Sequence, residues 1–388
     1  MNKSILNTGV QSFIRNFLSD DILSVALKKS PFSNVSSQEL AQQIASRSKC
    51  EHKLPDWFQN EGIYYPDKLH IEQASSEQTA EYKAGMVHGN SLADLTGGMG
   101  VDSYYFSQRM ARVYYFETKA ELAEISAHNL KVLGADNIDI CSGDGVARLK
   151  NNTRVYDWIY LDPSRRAENN RRVFRLEEGF PNVLEILPLL FSKADNILLK
   201  TAPMLDIHEG LRVLQQVVSI HVVAVRNEVK ELLWILGKSA KSEADIVAIN
   251  LGSEQEEPFV FTLAEEQACE SIYSPPQEYL YEPNAALLKA GAFKSIGVRT
   301  GLAKLHPHSH LYTGHEAMPF PGRRFKVEAV HPYSKKMPFK KANITTRNFP
   351  ISVAALRKKH RISDGGNSYI FFTKTIKEQL VVIECVKF

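Results

Sequence analysis

Residues 91–103 read SLADLTGGMGVDS. A short apolar run ends on Asp94, and Gly97, Gly98 and Gly100 follow at once. Glycine is the default residue where φ must be positive, so a tight turn accounts for the stretch. A ligand that needs the backbone close and a carboxylate beside it accounts for it equally well. The flanking sequence decides between them.

From residue 91 onward, strand-like and helix-like patterns alternate. LADL is a short buried strand, helix 101–110 follows, and ARVYYFE (111–117) is a second strand. Helix 120–134 places Leu122, Ile125, Leu130 and Leu133 on one face and ends at Gly134. NIDICSGD (137–144) and DWIYLDP (157–163) are strands, and RRAENNRR after them is a charged loop. FPNVLEILPLLFSKA reads as a helix, NILLKTAP (196–203) as a strand and HEGLRVLQQV as a helix. ELLWILGK and DIVAINLG read as an adjacent antiparallel pair. Repeated β-α units imply a parallel sheet covered on both faces.

Upstream, residues 1–60 are helical, with an N-cap at Ser19 or Asp20 for one helix and Ser37 opening the next. LPDWFQNEGIYYPDKLH reads as a loop and IEQASSEQTAEYKAGM (71–86) as a single helix leading into the glycine stretch. No apolar run reaches the ~20 residues that span a bilayer. The N-terminus lacks a signal-peptide pattern, and Cys50, Cys141, Cys269 and Cys385 form no CxxC pair. A cytoplasmic protein without membrane association or an obligate protein partner is expected.

In an open parallel sheet, ligands bind beyond the carboxyl ends of the strands. Four successive strands end in carboxylates: Asp94, Glu117, Asp144 and Asp162. One such acid is an ordinary helix cap or turn residue; four at one edge ask for more. The glycine backbone would let a ligand pack closely and leave amides at the helix start for a carboxylate. Glu117 would accept from ribose hydroxyls, and Asp144 from an exocyclic amine of a purine.

This set resembles the class I S-adenosylmethionine-dependent methyltransferases. The resemblance implies that Asp94, Thr96, Gly97, Gly98 and Gly100 hold the methionine part of the donor, Glu117 the ribose and Asp144 the adenine. An NAD-binding fingerprint is the rival, but Ser103 stands where that pattern wants Gly or Ala. LDPSRR (161–166) is similar to the Asn/Asp-Pro-Pro-aromatic slot of amino-group methyltransferases. Asp162 and Pro163 match, while Ser164 replaces the second proline and Arg165 the aromatic. Asp162 would then accept from the target nitrogen or take up its proton. Arg165 and Arg166 would stack on a base, hold a phosphate, or pair with Glu177 or Glu178. The helix IEQASSEQTAEYKA is similar to the segment that covers the donor site in cap- and tRNA-guanine methyltransferases, so Tyr82 and Lys83 would close over it, or else the helix simply packs. HNLKVLG (128–134) resembles an Asn-containing helix of RNA methyltransferases; the alternative is that Asn129 faces solvent.

The net charge of +3 conceals a division. Residues 275–388 hold 19 Lys and Arg against 7 Asp and Glu, and residues 1–274 the other 28 against 37. Such a split suggests that the last third meets a polyanion, and Tyr333, Phe339, Phe349 and Tyr369 interleave the charge as base-stacking residues would. PNAALLKAGAFKSIG is helix-like, RRFKVEAVHPY strand-like, NFPISVAALRKKHRI a strand turning into a basic helix, and NSYIFFTKTIKEQLVVIECVKF a hairpin with Lys377 and Glu378 near its turn. Together with IEQASSEQTAEYKA, DLTGGMGVDS and LDPSRR, the segments YLYEPNAALLKAG and NFPISVAALRKKHRISDGG resemble a bacterial family of class I methyltransferases with a ferredoxin-like segment and a C-terminal THUMP-like domain. THUMP domains bind RNA, so the resemblance implies an RNA substrate, and Arg357, Lys358, Lys359 and Arg361 would touch phosphates. HPHSH places His306, His308 and His310 on one face if extended, but no Cys or carboxylate sits at ligand spacing, and no metal site is expected.

The expected fold is a Rossmann-like doubly wound α/β sheet of seven strands, with a helical N-terminal region (1–68), a methyltransferase domain (69–255), a ferredoxin-like segment (275–318) and a THUMP-like basic α+β module (319–388). The expected function is S-adenosyl-L-methionine-dependent methylation of tRNA or rRNA at a base nitrogen such as guanine N2 or adenine N6. Two alternatives stay open at this point: a methyltransferase of DNA, protein or a small molecule, and a non-catalytic RNA-binding protein that keeps the donor fold.

Overall fold

The computed structural model describes residues 1–19, 21–165, 176–253, 256–334 and 337–388. The chain forms two compact units: Met1–Ser219 with Glu231–Ser242, and Ile220–Lys230 with Glu243–Phe388.

The first unit opens with helices α1 (Thr8–Asn16), α2 (Ile22–Leu27), α3 (Ser37–Lys53), α4 (Pro55–Gln59), α5 (Lys68–Gln73) and α6 (Glu77–Ala84). Asp21, one or two residues after the expected cap, accepts from the Leu23 N–H and starts α2; Asp20 lies outside the described residues. Ser36, not Ser37, caps α3, in a reciprocal capping box with Glu39. The stretch expected to be a loop holds α4, which Pro55 opens, and the start of α5. The single helix expected over 71–86 breaks at Ala74 because the Ser76 side chain accepts from the Thr79 N–H and starts a new helix. Ile5, Val10, Ile14, Leu40 and Ile44 form the core of the first helices.

Asn129 ties this region to the domain that follows. It is fully buried, and its amide accepts from the Tyr64 N–H at 2.9 Å while donating to the Tyr64 carbonyl at 2.8 Å. Asn129 therefore replaces a ladder partner for Tyr64 instead of facing solvent.

The sheet of this unit comprises β1 (Ser91–Asp94), β2 (Arg112–Glu117), β3 (Ile138–Ser142), β4 (Tyr156–Leu161), β5 (Ala194–Thr201) and β7 (Glu228–Gly237) in the order β3-β2-β1-β4-β5-β7. Its helices are α7 (Val101–Ser107), α8 (Ala120–Val132), α9 (Gly145–Lys150), α10 (Val183–Lys193) and α11 (Ile207–Val213). All strands are parallel except β7, which runs antiparallel to β5. Strand β6 (Val217–Val225) begins in this unit, where the Gly237 N–H donates to the Gln216 carbonyl at 2.9 Å. The sequence reading did not anticipate β6 and paired ELLWILGK with DIVAINLG. The α11-to-β6 break is made by Gln216 at φ 56°, without the glycine or proline that would have announced it.

In the second unit β8 (Asp245–Leu251) pairs antiparallel with β9 (Phe259–Phe261), and α12 (Leu263–Ala268) follows. A further sheet holds β10 (Tyr279–Pro283), β11 (Tyr312–Gly314), β12 (Gly322–Pro332), β13 (Asn343–Thr346), β14 (Ser368–Lys374) and β15 (Leu380–Lys387), accompanied by α13 (Ala285–Ala290), α14 (Ser295–Thr300) and α15 (Val353–His360). The order is β11-β10-β12-β15-β14-β13, with the short strand Ala303–Lys304 beside β11. The β14–β15 hairpin forms as expected. The strand expected at NFPIS is instead β13, just upstream and parallel to β14. The aromatics expected to stack on bases are structural: Phe339 is buried, Tyr333 and Phe349 pack against the same cluster, and Tyr369 packs on Phe325. His306 is buried and bonded to Glu378, and His310 stacks on Phe293. Among the described residues no helix is long and apolar enough to cross a membrane.

Replacing Asn129 by Ala strands a part-buried N–H and carbonyl of Tyr64. The expected loss is about 2 kcal/mol in the urea-unfolding free energy, and an unchanged midpoint would refute this reading of the link.

Candidate functional site

The strand register brings the predicted acids to one edge. Asp94 lies level with Tyr115 of β2 and Tyr160 of β4, so Glu117 and Asp162 each sit two residues further along. Ser142 is level with Glu117, which places Asp144 beyond the end of β3. Leu161 is level with Leu199, which sets Lys200 of β5 beside Asp162.

Geometry decides the first turn. A Cβ on Gly97 would fall 2.1 Å from the Tyr115 ring, a collision that no rotamer change of a packed ring relieves. Gly98 and Gly100 take φ 55° and 82°, where a side chain is strained. The Tyr115 hydroxyl donates to the Gly98 carbonyl at 2.6 Å, and the Gly98 N–H donates to a Glu117 oxygen at 3.0 Å. Thr96 joins two strand ends, its hydroxyl accepting from the Asp162 N–H at 2.7 Å.

Asp94 is 1% exposed. Its carboxylate accepts from the Thr96 N–H at 3.0 Å and the Ser103 hydroxyl at 2.6 Å, which shapes the loop from beneath. Burial pushes its carboxyl up to about 7, against the lowering effect of those two bonds. Ser103, the residue that departs from a dinucleotide fingerprint, is thus the partner of Asp94.

Glu117 is half-buried, and its other oxygen accepts from the Lys119 N–H at 2.7 Å. That oxygen also accepts from the Thr118 hydroxyl at 3.2 Å, so the oxygen bonded to Gly98 is the one with a lone pair left for a ligand. Asp144 is exposed and caps α9, accepting from Val146 N–H at 2.8 Å and Ala147 N–H at 3.3 Å through one oxygen.

Beneath the edge lies a cluster of charges that the sequence reading passed over. Lys200 donates to Asp162 at 2.5 Å. Burial alone would lower the Lys200 ammonium, but Asp162, Glu231 and Asp102 together hold it above the usual lysine range. Lys83 is fully buried between Glu231 at 2.8 Å and Asp102 at 3.2 Å and donates to Ser75 at 3.0 Å. Asp102 also accepts from the Tyr160 hydroxyl at 2.8 Å. Burial would raise the Asp102 carboxyl, yet Lys83 and Lys200 hold it below its usual range. Lys83 is therefore an internal counter-charge, and the expectation that it closes over a ligand is corrected. Its neighbour Tyr82 is half-buried, and burial raises its hydroxyl. The overlooked signal was a lone charge at either end of an apolar strand run, Lys200 in NILLKT and Glu231 in ELLWIL.

Pro163 is half-buried, and the Ser164 hydroxyl donates to the Phe180 carbonyl at 3.3 Å. The backbone of Ser164 and Arg165 pairs antiparallel with Gly179 and Phe180. Arg166 and the side chain of Arg165, with the stacking, phosphate or Glu177 and Glu178 roles expected of them, lie outside the described residues. In the second unit, Arg357 is engaged internally, donating to the Ala342 carbonyl at 3.2 Å and pairing with Asp364. Lys358 and Arg361 are exposed, and exposed Lys359 donates to the Tyr333 hydroxyl at 2.9 Å.

Two predictions follow from this charge arrangement. The native Asp94 carboxyl keeps its proton up to about 7, whereas an unfolded Asp releases it near pH 4, so wild-type stability falls as pH rises through that window and then levels. Asp94→Asn does not titrate there, so urea unfolding at pH 4.5 and pH 8 should show the difference moving toward the variant by about 2–4 kcal/mol; a pH-independent difference refutes it. Lys200→Met should cost about 3 kcal/mol by leaving carboxylates unpaired, and adding Asp162→Asn should recover part of it. Additive losses in that double-mutant cycle would mean that the pair is not coupled.

Comparison with known proteins identifies the family. A ferredoxin-like domain model matches residues 279–321, and a THUMP domain-like model matches residues 322–387. Two Mycobacterium tuberculosis proteins, from strains CDC 1551 and H37Rv, are each described as an uncharacterized S-adenosylmethionine-dependent methyltransferase. Each is 23% identical over 335 residues, 83% of this chain and 88% of the relative. The crystal structure of a candidate methyltransferase from Porphyromonas gingivalis W83 is 32% identical, with a TM-score of 0.88, over 99% of this chain and 98% of that one. Identity and coverage of that extent make this chain a member of the S-adenosylmethionine-dependent methyltransferase family that carries ferredoxin-like and THUMP-like domains.

Proposed function

We propose that the protein methylates a base nitrogen of a structured RNA, tRNA or rRNA, such as guanine N2 or adenine N6. The observation that carries the site assignment is the alignment of Gly98, Glu117 and Asp162 at one sheet edge, with the Gly98 N–H bonded to Glu117 and the Asp162 N–H bonded to Thr96. The RNA assignment is supported by the THUMP domain-like match and by the excess of 19 basic over 7 acidic residues in 275–388.

The residues fit the donor. The turn at Gly97–Gly100 brings backbone close to the edge, and Asp94 with Thr96 sets its shape. Glu117 receives a ribose hydroxyl on the oxygen that it turns to Gly98, and Asp144 receives the adenine amine on the oxygen that does not cap α9. S-adenosylmethionine, when bound, supplies an electrophilic methyl group on a sulfonium. Asp162 accepts a hydrogen bond from the target amine and orients its lone pair, which is the larger part of what transfer from a sulfonium requires. Lys200 holds Asp162 in place from behind. Pro163 and Ser164 shape the entrance. Exposed Lys358, Lys359 and Arg361 contact phosphates and contribute affinity without reading sequence.

Calorimetric titration of S-adenosylmethionine should show binding to the wild type, weakened at least tenfold by Glu117→Ala. Incubation with labelled donor and total RNA should transfer label to RNA, and Asp162→Ala should lower the rate while leaving donor binding in place. Donor binding that is unaffected by Glu117→Ala would overturn the site assignment. Label that enters DNA or protein but not RNA would overturn the substrate.

A further inference from the structure

A cavity of about 240 Å³ lies in the N-terminal helical region, away from the strand-end acids in sequence and lined by Thr8, Gln11, Ser12, Arg15, Arg47 and Glu61 among others. Arg47 is the unusual member. It is 5% exposed, yet among the described residues no carboxylate lies within ion-pair distance of it. One guanidinium nitrogen donates to the Phe58 carbonyl at 3.0 Å, the group sits 5.3 Å from the Phe58 ring centroid, and Nε is buried without a partner. A buried charge without a counter-charge is costly and is normally paired or bonded throughout. Here the charge is kept and the counter-charge is missing.

Most polar groups in the rest of the wall are hydrogen-bond donors, with Glu61 the one acid among the lining residues. Thr8 is the first residue of the nine-residue helix α1, whose N-cap Asn7 makes no side-chain cap bond. The first amides of that helix thus lack a side-chain acceptor and carry the positive end of its dipole. Arg15 and the Ser12 hydroxyl lie one turn further along, 3.4 Å apart. Glu61, the carboxylate in the wall, pairs with Arg15 at the exposed rim and leaves Arg47 uncompensated. The Gln11 amide is anchored on the Ile5 carbonyl at 2.9 Å.

The geometry points to a phosphomonoester-binding site at this cavity, with Arg47 as its buried anchor. A phosphomonoester carries about −1.5 to −2 charges near pH 7 and three strong acceptor oxygens. That matches the uncompensated Arg47 guanidinium, two hydroxyls and an uncapped helix start, with Arg15 at the rim shared with Glu61, better than a carboxylate, which has two oxygens and one charge. The cavity is smaller than the ~300–1,000 Å³ of whole-ligand pockets, so it takes the phosphate and the sugar next to it. The phosphate comes from a small metabolite or from the 5′ end of an RNA; the recognition chemistry is the same. This inference stands independently of the RNA reading above.

The test uses the full-length protein and calorimetric titration of inorganic phosphate, ribose 5-phosphate and a short RNA oligonucleotide with either a 5′-phosphate or a 5′-hydroxyl. Inorganic phosphate should bind and should raise the unfolding temperature. Arg47→Met and, separately, Ser12→Asp should each weaken that binding at least tenfold while leaving S-adenosylmethionine binding unchanged. Without phosphate, Arg47→Met should unfold no earlier than wild type, because it removes an unpaired buried charge; a purely structural arginine would make it unfold earlier. A tenfold preference for the 5′-phosphorylated oligonucleotide assigns the site to an RNA end, and tight ribose 5-phosphate binding with equal affinity for both oligonucleotides assigns it to a metabolite. No phosphate binding by wild type, or binding untouched by both variants, overturns the proposal. Should Arg47→Met fail to fold, Ser12→Asp carries the test.

Discussion

Two ammonium groups with little access to water hold the carboxyl edge of the sheet together. Lys83 comes from α6 and Lys200 from β5; around them stand Asp102 of α7, Glu231 of β7 and Asp162 beyond β4. A cluster of this kind is poor evidence of stability, since desolvating each ion offsets much of the attraction. What it provides is position. Each charge is acceptable only where its partners are, so five elements distant in sequence meet in one arrangement. The acid nearest the proposed target nitrogen is part of that arrangement and not a free surface group.

The acids at the strand ends have two uses. Asp94 shapes the loop through Thr96 and Ser103, Glu117 receives the Gly98 amide, and Asp144 caps α9. A helix cap and a ligand acceptor are not exclusive, because a carboxylate has four lone-pair positions and a cap uses only some of them. The loop is thereby preorganised by the same side chains that are proposed to meet the donor, and little rearrangement is required on binding. Gly97 makes the other contribution: the ring of Tyr115 takes the place where its side chain would be.

In the C-terminal unit, charge and aromatic content have different destinations. The basic residues that remain exposed, Lys358, Lys359 and Arg361, support a polyanion-facing surface. The aromatics once read together with them are packing residues, since Tyr333 and Phe349 cluster on Phe372 and Tyr369 on Phe325. In one dimension a base-stacking aromatic and a core aromatic look alike; which side of a strand each occupies separates them.

The alternating β-α pattern, the four strand-end acids and the glycine loop were legible in the sequence because they rest on local rules: side-chain period, the φ tolerance of glycine and the apolar character of buried parallel strands. β6 was not, because Gln216 adopts positive φ without a residue type that announces it. Nor was the pairing of β7 with β5, which joins residues more than 30 positions apart. The roles of Lys83, Lys200, Asn129 and Arg47 also emerged only from the fold. A charged or amide side chain on a helix or strand reads as solvated by default, and nothing nearby in sequence says that it is buried. The sequence alone determined the class of fold and the edge at which the strand-end acids gather; tertiary packing alone decided which charges lose water and which partners they then require.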